Sequence, residues 1–124
     1  MNKQCPCGSQ KEMADCCLPY IRTYSAPTAE ALMRSRYTAF TLHEADYLFQ
    51  TTSLAERRFT SKKEILDWAK QNTWLKLEVL ESTATTVTFK AYFLDAQGQS
   101  QVHHEKSTFK EVQGKWFYVK GRFL

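Results

Sequence analysis

The side chains best suited to chemistry lie near the amino terminus, where all four cysteines fall between Cys5 and Cys17. They form two close pairs, Cys5 with Cys7 and Cys16 with Cys17, separated by a short loop. Two such pairs of thiolates can wrap around one tetrahedral zinc ion. Because four cysteine ligands leave no open coordination position, the spacing predicts a structural zinc site and not a catalytic one.

Disulfide bonds are the alternative use of this cluster. Adjacent cysteines and a Cys-x-Cys pair within so short a loop are awkward for unstrained bridges. The amino terminus is polar and lacks the apolar stretch of a secretory signal, and no run reaches the roughly 18 apolar residues of a membrane span. We therefore expect a soluble, cytoplasmic protein with reduced thiols, in which zinc is favoured over disulfides.

A second candidate group combines Arg36, His103 and Glu105. If Phe109 points into the core, the alternation of a strand places His103 and Glu105 on the same inner face. An imidazole beside a carboxylate forms either an acid–base pair or a structural hydrogen bond. Arg36 borders a helical apolar stripe, where it either satisfies structural acceptors or binds an anionic ligand. We assign no catalytic residue, because no nucleophile elbow, phosphate loop or paired-carboxylate pattern is present.

Helical periodicity begins after Pro27. Thr28 is a suitable amino-terminal cap, and Leu32, Tyr37 and Phe40 recur at helical spacing. Further along, Ser61 and Glu64 form a capping-box pattern ahead of an apolar run. The sequence predicts helices at residues 28–42, 44–51 and 62–71.

The period changes to two after Trp74. Leu75, Leu77 and Val79 alternate with their neighbours, which predicts that these three share one face of a strand. Gln113-Gly114 is a two-residue hairpin signal. We expect further strands near 86–93, 101–112 and 115–121. Helices followed by consecutive strands predict an α+β domain in which helices pack on a curved antiparallel sheet.

The chain of 124 residues is long enough for one substantial core. We divide it into a zinc knuckle at residues 1–22, a connector at 23–27 and an α+β domain at 28–124. The formal net charge of +4 permits acidic partners without requiring them.

The run Cys5-Pro6-Cys7-Gly8-Ser9 followed by Cys16-Cys17 resembles the SEC-C zinc motif at the carboxyl end of the SecA translocation ATPase. In SecA that motif makes protein and ribosome contacts, so the resemblance implies a recognition role for this knuckle.

The whole chain is similar to the YchJ-type family of small bacterial proteins. The similarity lies in the knuckle, the run 32–40, the Asp46-Tyr47-Leu48 step and His104-Glu105 leading to Phe109. It implies a nuclear transport factor 2-like (NTF2-like) fold, a cystatin-like cone that often encloses a pocket.

Two functions follow as hypotheses. The first is a binding or adaptor protein that uses a structural zinc knuckle to recognise a protein partner, with the ribosome or RNA as other partners. The alternative is a small-molecule-binding or enzymatic pocket, in which Arg36, His103 and Glu105 contact the ligand.

Overall fold

The computed structural model describes residues 4–124. A short 3₁₀ turn at Met13–Asp15 precedes all other elements. The helices are α1 (Cys17–Thr23), α2 (Ala29–Leu42), α3 (Ala45–Gln50), α4 (Leu54–Arg57) and α5 (Lys62–Gln71), and the strands are β1 (Thr73–Ser82), β2 (Thr86–Leu94), β3 (Ser100–Val112) and β4 (Lys115–Phe123). The expected α+β class and the order of helices before strands are therefore confirmed.

The two capped helices begin where the sequence predicts. Thr28 Oγ1 accepts a hydrogen bond from the Ala31 amide at 3.0 Å, and Ser61 Oγ accepts one from the Glu64 amide at 3.1 Å. Each bond satisfies one of the amides that a helix leaves unpaired in its first turn. These local bonds explain why the starts of both helices can be predicted from the sequence.

Two short helices were not anticipated. Helix α1 begins at Cys17, inside the cysteine cluster, and runs through Thr23, past the expected end of the knuckle at residue 22. Pro19 is compatible with it because an amide in the first helical turn has no partner within the helix. Helix α4 is only one turn long, too short to give a periodic pattern.

The four strands form one antiparallel sheet in the order β1-β2-β3-β4. Gln113 and Gly114 both have positive φ, 53° and 80°, which matches the twist of a tight hairpin between β3 and β4. The inner face of β2 is buried at Val87, Phe89, Ala91 and Phe93. The expected alternation therefore holds in the centre of the sheet.

Alternation fails at the start of β1. The register shifts between Trp74 and Lys76, and Leu75 is 54% exposed. A bulge inserts one residue and changes which side chains face inward. The prediction that Leu75 shares the inner face with Leu77 is therefore wrong.

The knuckle and the α+β domain contribute to one core. Cys5, Cys7, Cys17 and Ile21 are buried in the same cluster as Leu32. Residues on both sides of the predicted division at residue 22 thus belong to one buried cluster, and the division itself stays a prediction. Within residues 4–124, no helix is long and apolar enough to cross a membrane.

Candidate metal centre and ligand pocket

The four cysteines converge on one point. Their Sγ atoms all lie within 4.8 Å of one another. Cys7 Sγ is 3.6 Å from Cys16 Sγ, which in turn is 3.9 Å from Cys17 Sγ. None of the four forms a disulfide.

This donor set fits a structural metal ion. A tetrahedral site with zinc–sulfur bonds of about 2.3 Å places its sulfurs about 3.8 Å apart. The separations of the Cys16 sulfur from its two neighbours are close to that value. Soft thiolates without histidine or carboxylate ligands favour zinc over hard oxygen-seeking cations.

The surrounding residues fix the cluster from several elements. Thr38 Oγ1 lies 3.4 Å from Cys5 Sγ, and Ser9 Oγ lies 3.0 Å from Cys16 Sγ. Gly8 has a φ of +84°, and a Cβ there would lie 3.1 Å from the Leu77 carbonyl oxygen. Glycine therefore permits both the turn after Cys7 and the close approach of the knuckle to β1.

Hydrogen bonds between the thiols shift their pKa values in opposite directions. Two hydrogen bonds lower the pKa of Cys5: the larger effect comes from Cys17 and the smaller from Cys7. The same pairing with Cys5 raises the pKa of Cys17. Four sulfurs this close cannot all carry charge without a cation between them, which a divalent metal supplies.

Arg36, His103 and Glu105 line one cavity between the helices and the inner face of the sheet. The cavity has a volume of about 210 Å³. The side chains that complete its wall are mainly apolar and aromatic: Met33, Tyr37, Phe40, Trp68, Trp74, Phe89, Ala91, Phe93, Ser107 and Tyr118. The structure thus brings together all three residues of the second candidate group, although their role in binding a ligand stays a prediction.

Glu105 is the centre of a hydrogen-bond network. Its Oε1 lies 2.7 Å from His103 Nε2, and its Oε2 accepts bonds from Ser107 Oγ and, at 3.4 Å, from the Tyr118 hydroxyl. Burial opposes ionisation, but the bonds from His103 and Ser107 hold the pKa of Glu105 below its ordinary value. Gly121 makes room for this network, since a Cβ there would overlap the Glu105 carboxyl group.

Arg36 is held by the end of α3. Its Nη1 donates to the Leu48 carbonyl at 2.9 Å and to the hydroxyls of Thr51 and Thr52 at 2.7 and 3.5 Å. Its Cζ lies 4.8 Å from the centre of the Tyr118 ring. Nη1 of Arg36 therefore satisfies structural acceptors, which is one of the two roles expected from the sequence.

A neighbouring cavity of about 250 Å³ contains Arg57 but is a weaker candidate. Arg57 donates from Nε to the Thr52 carbonyl at 2.8 Å and from Nη2 to the Gln50 carbonyl at 2.7 Å. The Nε–Nη2 edge of that guanidinium is thus engaged by backbone oxygens, and Cζ lies 5.6 Å from the centre of the Phe49 ring. Arg57 has less capacity than Arg36 to receive a ligand.

The sequence analysis did not select Trp68 or Tyr118, which line the cavity, or Gly121, which lies against the Glu105 carboxyl group. Tyr118 and Gly121 take these positions through the register of β4 on β3, which pairs Phe109 with Tyr118 and Ser107 with Gly121. Ser107 was detectable, because alternation from Phe109 already places it beside Glu105.

Comparison with known proteins agrees with this architecture. The model of the middle NTF2-like domain of YchJ matches residues 28–121, and the SEC-C motif model matches residues 1–19. A UPF0225 protein from Haemophilus influenzae is 37% identical over 123 residues, which cover 94% of this chain and 76% of that protein. A UPF0225 protein from Actinobacillus succinogenes is 36% identical, with 96% of this chain and 81% of that protein covered.

Two solved structures share the whole fold. The solution structure of a SEC-C motif containing protein from Rhodopseudomonas palustris has a TM-score of 0.89 at 38% identity, covering 98% of this chain and 99% of that chain. The crystal structure of a SEC-C motif containing protein from Psychrobacter arcticus has a TM-score of 0.83 at 34% identity, covering 95% and 81%. The chain therefore belongs to the UPF0225 family of YchJ-type proteins, in which a SEC-C motif precedes an NTF2-like domain.

Proposed function

We propose that this protein binds a small organic molecule in the cavity beneath α2, within a fold stabilised by one structural zinc ion. The observation that carries the proposal is the convergence of Arg36, His103 and Glu105 on a cavity whose other walls are mainly aromatic. A largely apolar pocket with a few convergent polar groups is the usual form of a ligand site. The proposal concerns binding and assigns no reaction.

The polar end of the cavity is pre-organised. His103 and Glu105 hold each other in position, and the ring of His103 stacks on Phe89 with centroids 6.0 Å apart. Fixed donors and acceptors reduce the entropy that a ligand loses on binding. This arrangement supports specific recognition of a small ligand more than simple packing of a core.

Zinc is the metal that the knuckle is proposed to hold, through Cys5, Cys7, Cys16 and Cys17. Support comes from the all-sulfur donor set and the spacing of the sulfur atoms. The segment between the cysteine pairs contributes little to the core, so metal binding would supply much of the free energy that orders it.

Filling the cavity tests the binding proposal. Ala91 lies on its sheet wall, so Ala91→Leu should occupy the space that a ligand needs. We expect fragments that perturb the amide signals of cavity residues in wild-type protein to lose at least tenfold in affinity in this variant. The measurement is a two-dimensional NMR titration. Thr88→Leu, on the outer face of the same strand, is the matched control and should bind normally.

Absence of any fragment that binds in the cavity would contradict the proposal. So would equal binding by the wild type and by a folded Ala91→Leu variant. A thermal melt of each protein establishes that both variants are folded before binding is compared.

Elemental analysis tests the metal proposal. Protein purified without chelators should contain about one zinc per chain, and chelation should lower its melting temperature because the metal binds only the folded state. Cys16→Ser should lower zinc affinity, while Ala14→Ser, in the same exposed loop, should not. Less than a tenth of an equivalent of metal with all four thiols reduced would refute the site.

A second candidate function is recognition of a macromolecule, either a protein partner through the knuckle or the ribosome or RNA. A specific observation favours the RNA form: Lys90, Lys106, Lys120 and Arg122 share the outer face of the sheet, and Lys106 lies directly opposite Arg122. Like charges in such a pair are destabilising. None of these four forms an ion pair within residues 4–124.

Salt dependence tests this second candidate. Binding of labelled single-stranded RNA, followed by fluorescence anisotropy, should weaken with salt because phosphate contacts release counterions. Lys106→Gln with Arg122→Gln should flatten the log–log salt slope by about 1.4. The double variant Lys63→Gln with Lys70→Gln removes the same charge from α5 and should leave the slope unchanged. If both double variants change the salt slope equally, or if no RNA binds, the outer face of the sheet is excluded as an RNA-binding surface.

A further inference from the structure

Arg36 carries binding capacity that the fold does not use. All three of its hydrogen bonds are made by Nη1. Within residues 4–124, Nε and Nη2 have no hydrogen-bond partner, and no carboxylate lies within ion-pair distance of the guanidinium. The unused Nε–Nη2 edge has two parallel N–H donors, which can bind a carboxylate in a bidentate manner.

The surroundings of Arg36 weaken the solvation of its charge. Burial lowers the pKa of Arg36, because the surroundings solvate the cation poorly. The carboxylate in the same cavity, Glu105, directs its oxygens to His103, Ser107 and Tyr118. Arg36 is only partly buried, and its free nitrogens are not among the fully buried unpartnered atoms of the described chain, so an anionic ligand would replace water at this edge with a paired charge.

The apolar wall of the cavity suits a flat ring. Trp74 lies 5.3 Å from Phe93 and Trp68 lies 5.8 Å from Phe93, measured between ring centroids. Trp68 is 41% exposed, so its indole forms an accessible rim and not a closed wall. These rings pack against one another, so a ligand ring could lie only on the aromatic surface that they form together, in an offset or edge-to-face contact.

The size of the cavity limits the ligand. An apolar cavity of about 150 Å³ is enough for benzene. The cavity here, at about 210 Å³, has room for one such ring and a short acidic group. A nucleotide would not fit within this volume and would extend past the open rim at Trp68.

We propose that the cavity binds a small aromatic carboxylate, with the carboxylate on the free Nε–Nη2 edge of Arg36 and the ring against the aromatic surface formed by Trp68, Trp74 and Phe93. This inference rests on the proposed ligand-binding function and adds the chemical class of the ligand. His103, oriented by Glu105, lines the same cavity and is a further polar group available to the ligand.

A matched pair of probes tests the inference on the full-length, metal-loaded protein. Phenylacetate and phenylacetamide have nearly the same shape and differ in charge. Isothermal titration calorimetry should give phenylacetate a dissociation constant at least tenfold lower than that of phenylacetamide. In Arg36→Gln, the two constants should become equal within about twofold, because the charged donor edge is gone.

Trp68→Ala provides a variant that does not depend on the contacts of Arg36 with α3. This variant should raise the dissociation constants of both probes by a similar factor and leave their ratio unchanged, because it removes contacts with the ring alone. This outcome keeps the test decisive if Arg36→Gln does not fold. Tryptophan fluorescence gives an independent readout of binding in the wild-type protein, because Trp68 and Trp74 line the cavity.

The possible failures are distinguishable. If phenylacetamide binds as tightly as phenylacetate, and Ala91→Leu abolishes both, the cavity is a ligand site but the carboxylate assignment is wrong. If neither probe binds at 10 mM, roughly the weak limit of a specific small-ligand contact, the inference is overturned. The fragment screen then decides separately whether the cavity binds ligands of another class.

Discussion

The hydrogen bond from Arg34 Nη1 to the Cys7 carbonyl, 2.6 Å long, joins the metal knuckle to the helix on which the rest of the fold is arranged. Arg34 is itself fixed by Glu30, and Thr38 on the same helix contacts the Cys5 sulfur at 3.4 Å. Two residues along from Arg34, Arg36 reaches the cavity on another side of α2. One helix therefore positions both the metal ligands and the polar end of the pocket, so a change at either site is expected to affect the other.

The pocket owes its polarity to a chain of contacts across three elements. Arg36 from α2 lies over Tyr118 of β4, whose hydroxyl donates to Glu105 of β3. Glu105 in turn holds His103. Such a network stays ordered only when each polar member has a partner, and the free edge of Arg36 is its incomplete position. The proposed ligand places an anion at that position. The proposed zinc ion holds the knuckle in place against α2.

Local patterns made much of this architecture predictable. Thr28 and Ser61 identify helix starts because capping depends on neighbouring residues, and alternation from Phe109 places His103 and Glu105 inward because a strand has a period of two. The spacing of the cysteines likewise predicted their convergence. Tertiary features were not accessible: the bulge at Leu75, the free edge of Arg36 and the rim position of Trp68 depend on register and packing. The role of the pocket residues stays a prediction because convergence in space identifies a site without identifying its ligand.

We expect α2 to couple the metal site to the pocket, because its residues contact both. Amide hydrogen exchange, followed by mass spectrometry with and without a zinc chelator, tests it most directly because local opening of each element is measured separately. Coupling predicts that chelation reduces protection throughout residues 29–42 and in the cavity strand β3, as well as in the knuckle. Loss of protection confined to the residues before Thr23, with α2 and β3 unchanged, would contradict the claim.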